Sequence, residues 1–303
     1  MDITKFYPNK NEHPLDTLKP DGGFCGIFRT IACVGDSLSS GEFESLDEWQ
    51  WKSHHDMYEY SWGQYMARAI GSKVYNFSKA GMTAKQYMET FADERGFWNP
   101  ELAAQAYVIA LGYNDIVNCN WEIGSTDDID RECWENNNKT FIGYYAQIIQ
   151  RYKIIQPRAK FFLTTIAREG KDSDERMKRH AEAIYALAEY FDNTYVIDLY
   201  RDMPLHDEEF KENFYMGDHL TPAGYLLSSQ VMMTYIDYII RNNPRDFKEV
   251  CFIGTTKKYY WDGEAPAGII GTAAAENARH PTRVAWGGQC PLPTSALLSG
   301  NNI

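Results

Sequence analysis

Thr30-Ile31-Ala32-Cys33-Val34-Gly35-Asp36-Ser37-Leu38 is an apolar run that stops in a tight turn carrying a serine. Five residues able to fill a buried strand lead directly into Gly-Asp-Ser-Leu. A strand end of this kind can present a hydroxyl as a nucleophile. Gly, Asp and Ser are also ordinary turn residues, so the stretch takes its meaning from three later pieces of the chain that lie in a matching order. Gly81 stands in Asn76-Phe77-Ser78-Lys79-Ala80-Gly81, Asn114 in Gly112-Tyr113-Asn114-Asp115, and His219 in Gly217-Asp218-His219-Leu220-Thr221-Pro222.

Outward from that first strand, residues 29–241 alternate apolar runs with segments of helical period, the pattern of βα units around a parallel sheet. Strands are predicted at about 29–34, 73–77, 106–111, 160–166 and 194–199. One helix begins near Ser61, with Trp62, Tyr65, Met66, Ala69 and Ile70 on a single face, and Gly71 is suited to end it. Another spans about 139–155 before Pro157. A third opens on Asp172-Ser173-Asp174-Glu175, acids placed at the positive end of a helix. Thr221-Pro222 caps and starts the last one. The expected class is α/β, a doubly wound, three-layer α/β/α sandwich on a five-stranded parallel sheet. In such sheets ligands bind beyond the carboxyl ends of the strands, where Ser37, Gly81 and Asn114 fall.

These four pieces make the chain resemble the SGNH, or GDSL-type, esterase and lipase family. The resemblance covers about residues 29–241 and implies the flavodoxin-like strand order of the SGNH hydrolase fold. It also implies a serine nucleophile at Ser37, a general base at His219, and an oxyanion hole made by the backbone N–H groups of Ser37 and Gly81 with the Asn114 side chain. The spatial expectation is that the Ser37 hydroxyl and the His219 imidazole meet within hydrogen-bonding reach at one rim of the sheet. The family usually places an aspartate three residues before the histidine; here that position is Met216. Asp218 is the nearest acid and the tentative third member of the triad. Asp198 after the fifth strand, or a backbone carbonyl, are the alternatives for orienting the imidazole.

The remaining features bound the function. The chain of 303 residues has 44% hydrophobic and 15% aromatic residues, ample for a core, and a formal net charge of −12. That charge argues against nucleic acid and against an anionic membrane surface, both of which require clustered Lys and Arg. Six cysteines without close Cys-x-x-Cys spacing read as free thiols. No signal-peptide-like start is visible, so a cytoplasmic location is expected. No cofactor is called for: a Gly-rich phosphate loop with lysine is missing. No metal site is expected either, because His54-His55 lack an evident third ligand. His180 reads as a solvated helix residue, and His13, His206 and His280 as lacking partners.

Residues 42–60 and 119–138 look like insertions that either wall the crevice or pack on the surface. Division of the chain gives an N-terminal lead-in at 1–28, a hydrolase domain at 29–245 and a C-terminal extension at 246–303, poorly ordered or partly non-native. The expected activity is cofactor-independent hydrolysis of a small acyl ester. The tryptophans of the insertions favour a carbohydrate ester, since flat rings pack on sugar faces. The alternative is an inactive carbohydrate-binding or scaffold protein on the same fold.

Overall fold

A computed structural model describes residues 11–258. Five parallel strands form its centre: β1 (Thr30–Gly35), β4 (Lys73–Ser78), β5 (Ala106–Ala110), β6 (Lys160–Thr164) and β7 (Thr194–Ile197). Their order is β4-β1-β5-β6-β7, the doubly wound arrangement whose topological switch lies beside the first strand. Two ribbons stand apart from this sheet, β2 (Glu42–Leu46) with β3 (Lys52–Asp56), and β8 (Tyr215–Met216) with β9 (His219–Leu220).

Both faces of the central sheet are covered, which is why its strands read as nearly continuous apolar runs. Alternate residues point to opposite faces. Ala32, Val34, Tyr107, Ile109, Phe161 and Leu163 join one core. This core is closed by α3 (Phe141–Ile155) and α4 (Asp174–Tyr190). Ile31, Cys33, Ala106, Val108, Phe162 and Ile197 join the other core. There they meet α2 (Trp62–Ile70) and α5 (Pro222–Asn242). Helix ends follow the sequence. Ser61, Thr140 and Thr221 accept N-terminal backbone N–H groups, and Gly71 ends α2 at φ 69°.

The β2–β3 hairpin was not foreseen as strands, because Glu-Phe-Glu-Ser-Leu and Lys-Ser-His-His-Asp carry only one aromatic anchor. Phe43 supplies it, packing on Tyr60 and Tyr225. The Tyr225 hydroxyl donates to the Glu42 carbonyl at 2.7 Å, tying the hairpin to α5.

The segment 119–138 packs Trp121 and Trp134 against the α3 side of the core. Its turn is held by Asp128, which accepts from Ser125 N, Asn138 and Thr140. Cys25, Cys33, Cys119 and Cys251 are free thiols. No helix among the described residues is long and apolar enough to cross a membrane.

The expected boundaries at 28 and 245 cut through packed structure. Phe247, Val250 and Ile253 are buried in the same core as Cys25 and Phe28, and Phe247 stacks on Phe162. Asp237 accepts from Phe24 N, and Arg241 pairs with Glu12. The Ala- and Gly-rich stretch 268–303 lies outside the described residues. A chain limited to 29–245 should therefore lose several kcal/mol, since each buried apolar side chain contributes roughly 1.5–3 kcal/mol. Thermal or urea unfolding of that fragment beside 11–258 checks this, with a clearly lower midpoint expected for the shorter chain.

Candidate active site

Register on the central sheet decides what the turns can build. Gly35 of β1 lies opposite Ser78 of β4 on one side and Ala110 of β5 on the other. All three strands thus end level, and the turns after them converge at one edge. Ser37 begins α1 (Ser37–Ser40), a single turn that Asp36 caps by accepting from Leu38 N. Gly81 sits in the turn after β4 at φ 71°, with open space where a side chain would project. Gly112, after β5, has φ 132°, and a Cβ there would fall 2.2 Å from His180 Nε2. Only glycine fits that turn, and Asn114 comes two residues later.

The turns are also tied to one another. Asn114 Nδ2 donates to Met82 O at 3.2 Å and to Asp36 Oδ2 at 3.4 Å. Asp115 Oδ1 accepts from Ala84 N at 2.9 Å. Among the described residues, the backbone N–H groups of Ser37 and Gly81 have no hydrogen-bond partner. Two unclaimed N–H donors and a side-chain amide at one sheet edge form an arrangement suited to an oxyanion.

His180, expected to be solvated, is wholly buried and bonds through Nε2 to Leu111 O at 3.0 Å. Burial lowers its pKa to about 4, so it is neutral. It props the turn that carries Asn114. His206, expected to lack a partner, bonds to Tyr215 Oη at 2.9 Å and stacks on Phe210.

His219 opens β9, and α1 packs against both β2 and β9, so Ser37 and His219 lie on the same rim. They are not hydrogen-bonded to each other. The imidazole instead stands between two carboxylates: Nδ1 is 2.8 Å from Glu44 Oε1 and Nε2 is 3.3 Å from Glu42 Oε2. Asp218 does not orient the ring in this structure. Adjacent residues of an extended chain point apart, and its side chain is 85% exposed and pairs with Lys52. Asp198 is engaged elsewhere, accepting from Thr165, Arg201 N and Tyr185.

Glu44 was missed because it sits in a segment read as an insertion. The available signal was Glu42-Phe43-Glu44, two acids at period two just after the serine turn, which places both on one face of a strand. Burial would raise the Glu44 pKa. Hydrogen bonds from Lys52, His219 and the Asp218 N–H outweigh it and hold the carboxyl at about 2. Gly217, at φ 69°, leaves the space Glu44 needs, since a Cβ there would lie 2.3 Å from Oε2.

Residues 33–227 match the model of the GDSL-like lipase/acylhydrolase family. The chain belongs to that family. Comparison with curated protein sequences gives no match. Among solved structures, a protein from Lactobacillus plantarum superposes with a TM-score of 0.53 at 16% identity, covering 69% of this chain and 97% of that one. A family two carbohydrate esterase from Clostridium thermocellum, solved with cellohexaose, gives 0.48 at 16% identity, over 72% of this chain and 65% of that one. The acetyl xylan esterase AlAXEase gives 0.46 at 16% identity, over 68% and 99%. The first of these is a likeness of fold. Ser37, Gly81, Asn114 and His219 all fall within the matched residues. The acid beside the histidine ring comes from the hairpin after the serine turn.

A cavity of about 120 Å³ lies beside this edge, walled by Leu38, Trp62, Leu111, Ile166, Met203 and Val231. A larger one, about 320 Å³, lies between Arg29, Gln105 and Ile253 at the amino end of the sheet, away from these groups.

Asp36 gives a pH signature. Burial raises its carboxyl to about 7, despite the N–H of Leu38 and the nearby His219. The folded state therefore holds a proton that the unfolded chain has released, and stability falls as pH rises from about 4 to about 7. Asn at this position keeps the cap without the charge. Asp36→Asn should gain thermal stability over the parent progressively across that window, as melting curves at several pH values will show.

Proposed function

We propose that the protein is a serine esterase for small acyl esters, working through an acyl-enzyme on Ser37. The observation that carries this reading is the Glu44–His219 contact at 2.8 Å on the rim that also holds Ser37. A carboxylate on Nδ1 fixes the tautomer whose Nε2 lone pair can take a proton. Catalysis requires Nε2 to leave Glu42 and turn to the Ser37 hydroxyl. Contacts of this kind often tighten only when substrate binds.

In that arrangement His219 takes the Ser37 proton as Oγ attacks the acyl carbon, and the oxyanion forms against Ser37 N, Gly81 N and Asn114 Nδ2. Collapse of the adduct breaks the ester C–O bond, and His219 returns the proton to the leaving alcohol. Water, deprotonated by the same nitrogen, then releases the acid. Glu44 remains ionised throughout, its low pKa placing it far from any working pH.

The small cavity beside Leu38 and Leu111 supports a short acyl group over a fatty chain. For the alcohol side, Trp49 and Trp51 at the hairpin tip are 74% and 73% exposed. Large flat rings held in water on the hairpin that carries Glu44 support a sugar as the leaving group. The resting Nε2–Glu42 pairing favours one rival reading, an inactive carbohydrate-binding protein.

A fluorophosphonate adduct on Ser37, with p-nitrophenyl acetate turnover lost in Ser37→Ala, is the expected result; neither labelling nor turnover in the parent, with sugar binding intact, would support the rival. Glu44→Gln should lower kcat on the order of 10⁴-fold, as an unoriented histidine does in other serine hydrolases, whereas Asp218→Asn should stay near parental. Equal losses in the two variants would remove Glu44 from the mechanism.

A second expectation concerns the alcohol. Replacing Trp49 and Trp51 together by alanine should raise KM for acetylated xylan by about tenfold, from stacking worth about 1 kcal/mol or more, and leave p-nitrophenyl acetate kinetics unchanged.

A further inference from the structure

The hairpin does more than supply Glu44. Register sets Glu42 opposite Asp56 and Glu44 opposite His54, so the acids of β2 and the imidazole of β3 share the face turned to β9. Glu42 is buried, and its two oxygens face two rings: His54 Nδ1 lies 2.7 Å from Oε1, and His219 Nε2 lies 3.3 Å from Oε2. The two imidazoles are edge to face, 6.0 Å between centroids. One donor atom from each of Glu42, His54 and His219 lies within 4.8 Å of the others.

We propose that Glu42, His54 and His219 bind a divalent transition metal of the zinc class, and that the bound ion silences the esterase. Two nitrogens and one carboxylate oxygen form a donor set that zinc accepts, with a fourth position left for water. For bonds of about 2.0–2.1 Å, tetrahedral donors stand about 3.3 Å apart, so this cluster needs only small side-chain shifts. The second shell is in place as well. A metal-bound histidine characteristically gives its other N–H to a carboxylate, and Glu44 receives the His219 Nδ1 proton. Charge favours a cation: Lys52, the lysine of the cluster, is paired with Glu44 and Asp218, which leaves Glu42 without a lysine or arginine partner among the described residues. The half-exposed His54 gives the ion a route from solvent.

The consequence for activity rests on the proposed role of His219. A metal on Nε2 occupies the lone pair that would take the serine proton. The site itself does not depend on that role.

Isothermal titration of the chelator-treated protein with zinc chloride tests the site. One ion per chain is expected, along with visible ligand-field bands when cobalt(II) is used instead. His54→Ala, altered at a residue outside the catalytic set, removes a direct ligand and should lose affinity by about 100-fold or more, beyond the roughly 10- to 100-fold that loss of an outer-shell partner costs. It should keep the metal-free turnover of p-nitrophenyl acetate. No heat of binding, or undiminished binding in His54→Ala, overturns the site. Zinc should abolish parental turnover, EDTA should restore it, and His54→Ala should resist inhibition. Full activity of the zinc-loaded parent overturns the silencing. A metal-free protein with no turnover counts against the esterase reading alone, since titration and the cobalt spectrum still report the site.

Discussion

Level termination of β4, β1 and β5 is the constraint on which the rest of this molecule depends. Parallel pairing sets Gly35 beside both Ser78 and Ala110, so three turns distant in sequence emerge at one edge. Each turn then needs its own local solution. Asp36 caps α1, Gly81 takes positive φ, and Gly112 yields its missing side chain to His180. Covering both sheet faces with apolar layers holds the edge rigid, because a packed core gives little room for strands to slide.

Upon that edge the chain sets an acid–imidazole contact built from two ribbons rather than one loop. Asp218, the acid next to the histidine in sequence, points into solvent. Glu44 reaches the same ring from the hairpin, its charge compensated by Lys52 and by an N–H from the turn it supports. The ring responds to a carboxylate near Nδ1 and not to its place in the chain. The contact has a structural cost: Gly217 must stay without a side chain, and Glu42 is brought to the other nitrogen. One hairpin thus supports the imidazole on one side and competes for it on the other.

Much of the architecture was legible because burial on both faces makes parallel strands apolar, and helices announce their ends through Ser61, Gly71, Thr140 and Thr221. The serine, glycine and asparagine turns were legible for a related reason: each comes directly after a strand that could be read. The hairpin was not. Its residues are charged, its pairing is held by one aromatic anchor, and its importance lies in contacts with β9, some 175 residues later. His180 escaped notice for a similar reason. A single histidine on a helix gives no sign of whether a distant glycine will open a pocket for it.

Sequence by itself determined the fold class, the strand and helix order, and the turns that carry Ser37, Gly81 and Asn114 after their strands, since those rest on local periodicity and turn chemistry. Tertiary structure alone decided which acid meets His219 and what faces its other nitrogen. It also decided that Phe247, Val250 and Ile253, beyond the expected boundary at 245, belong to the core. Each of these is a contact between segments far apart in the chain, fixed by register and packing, on which neighbouring residues carry no information.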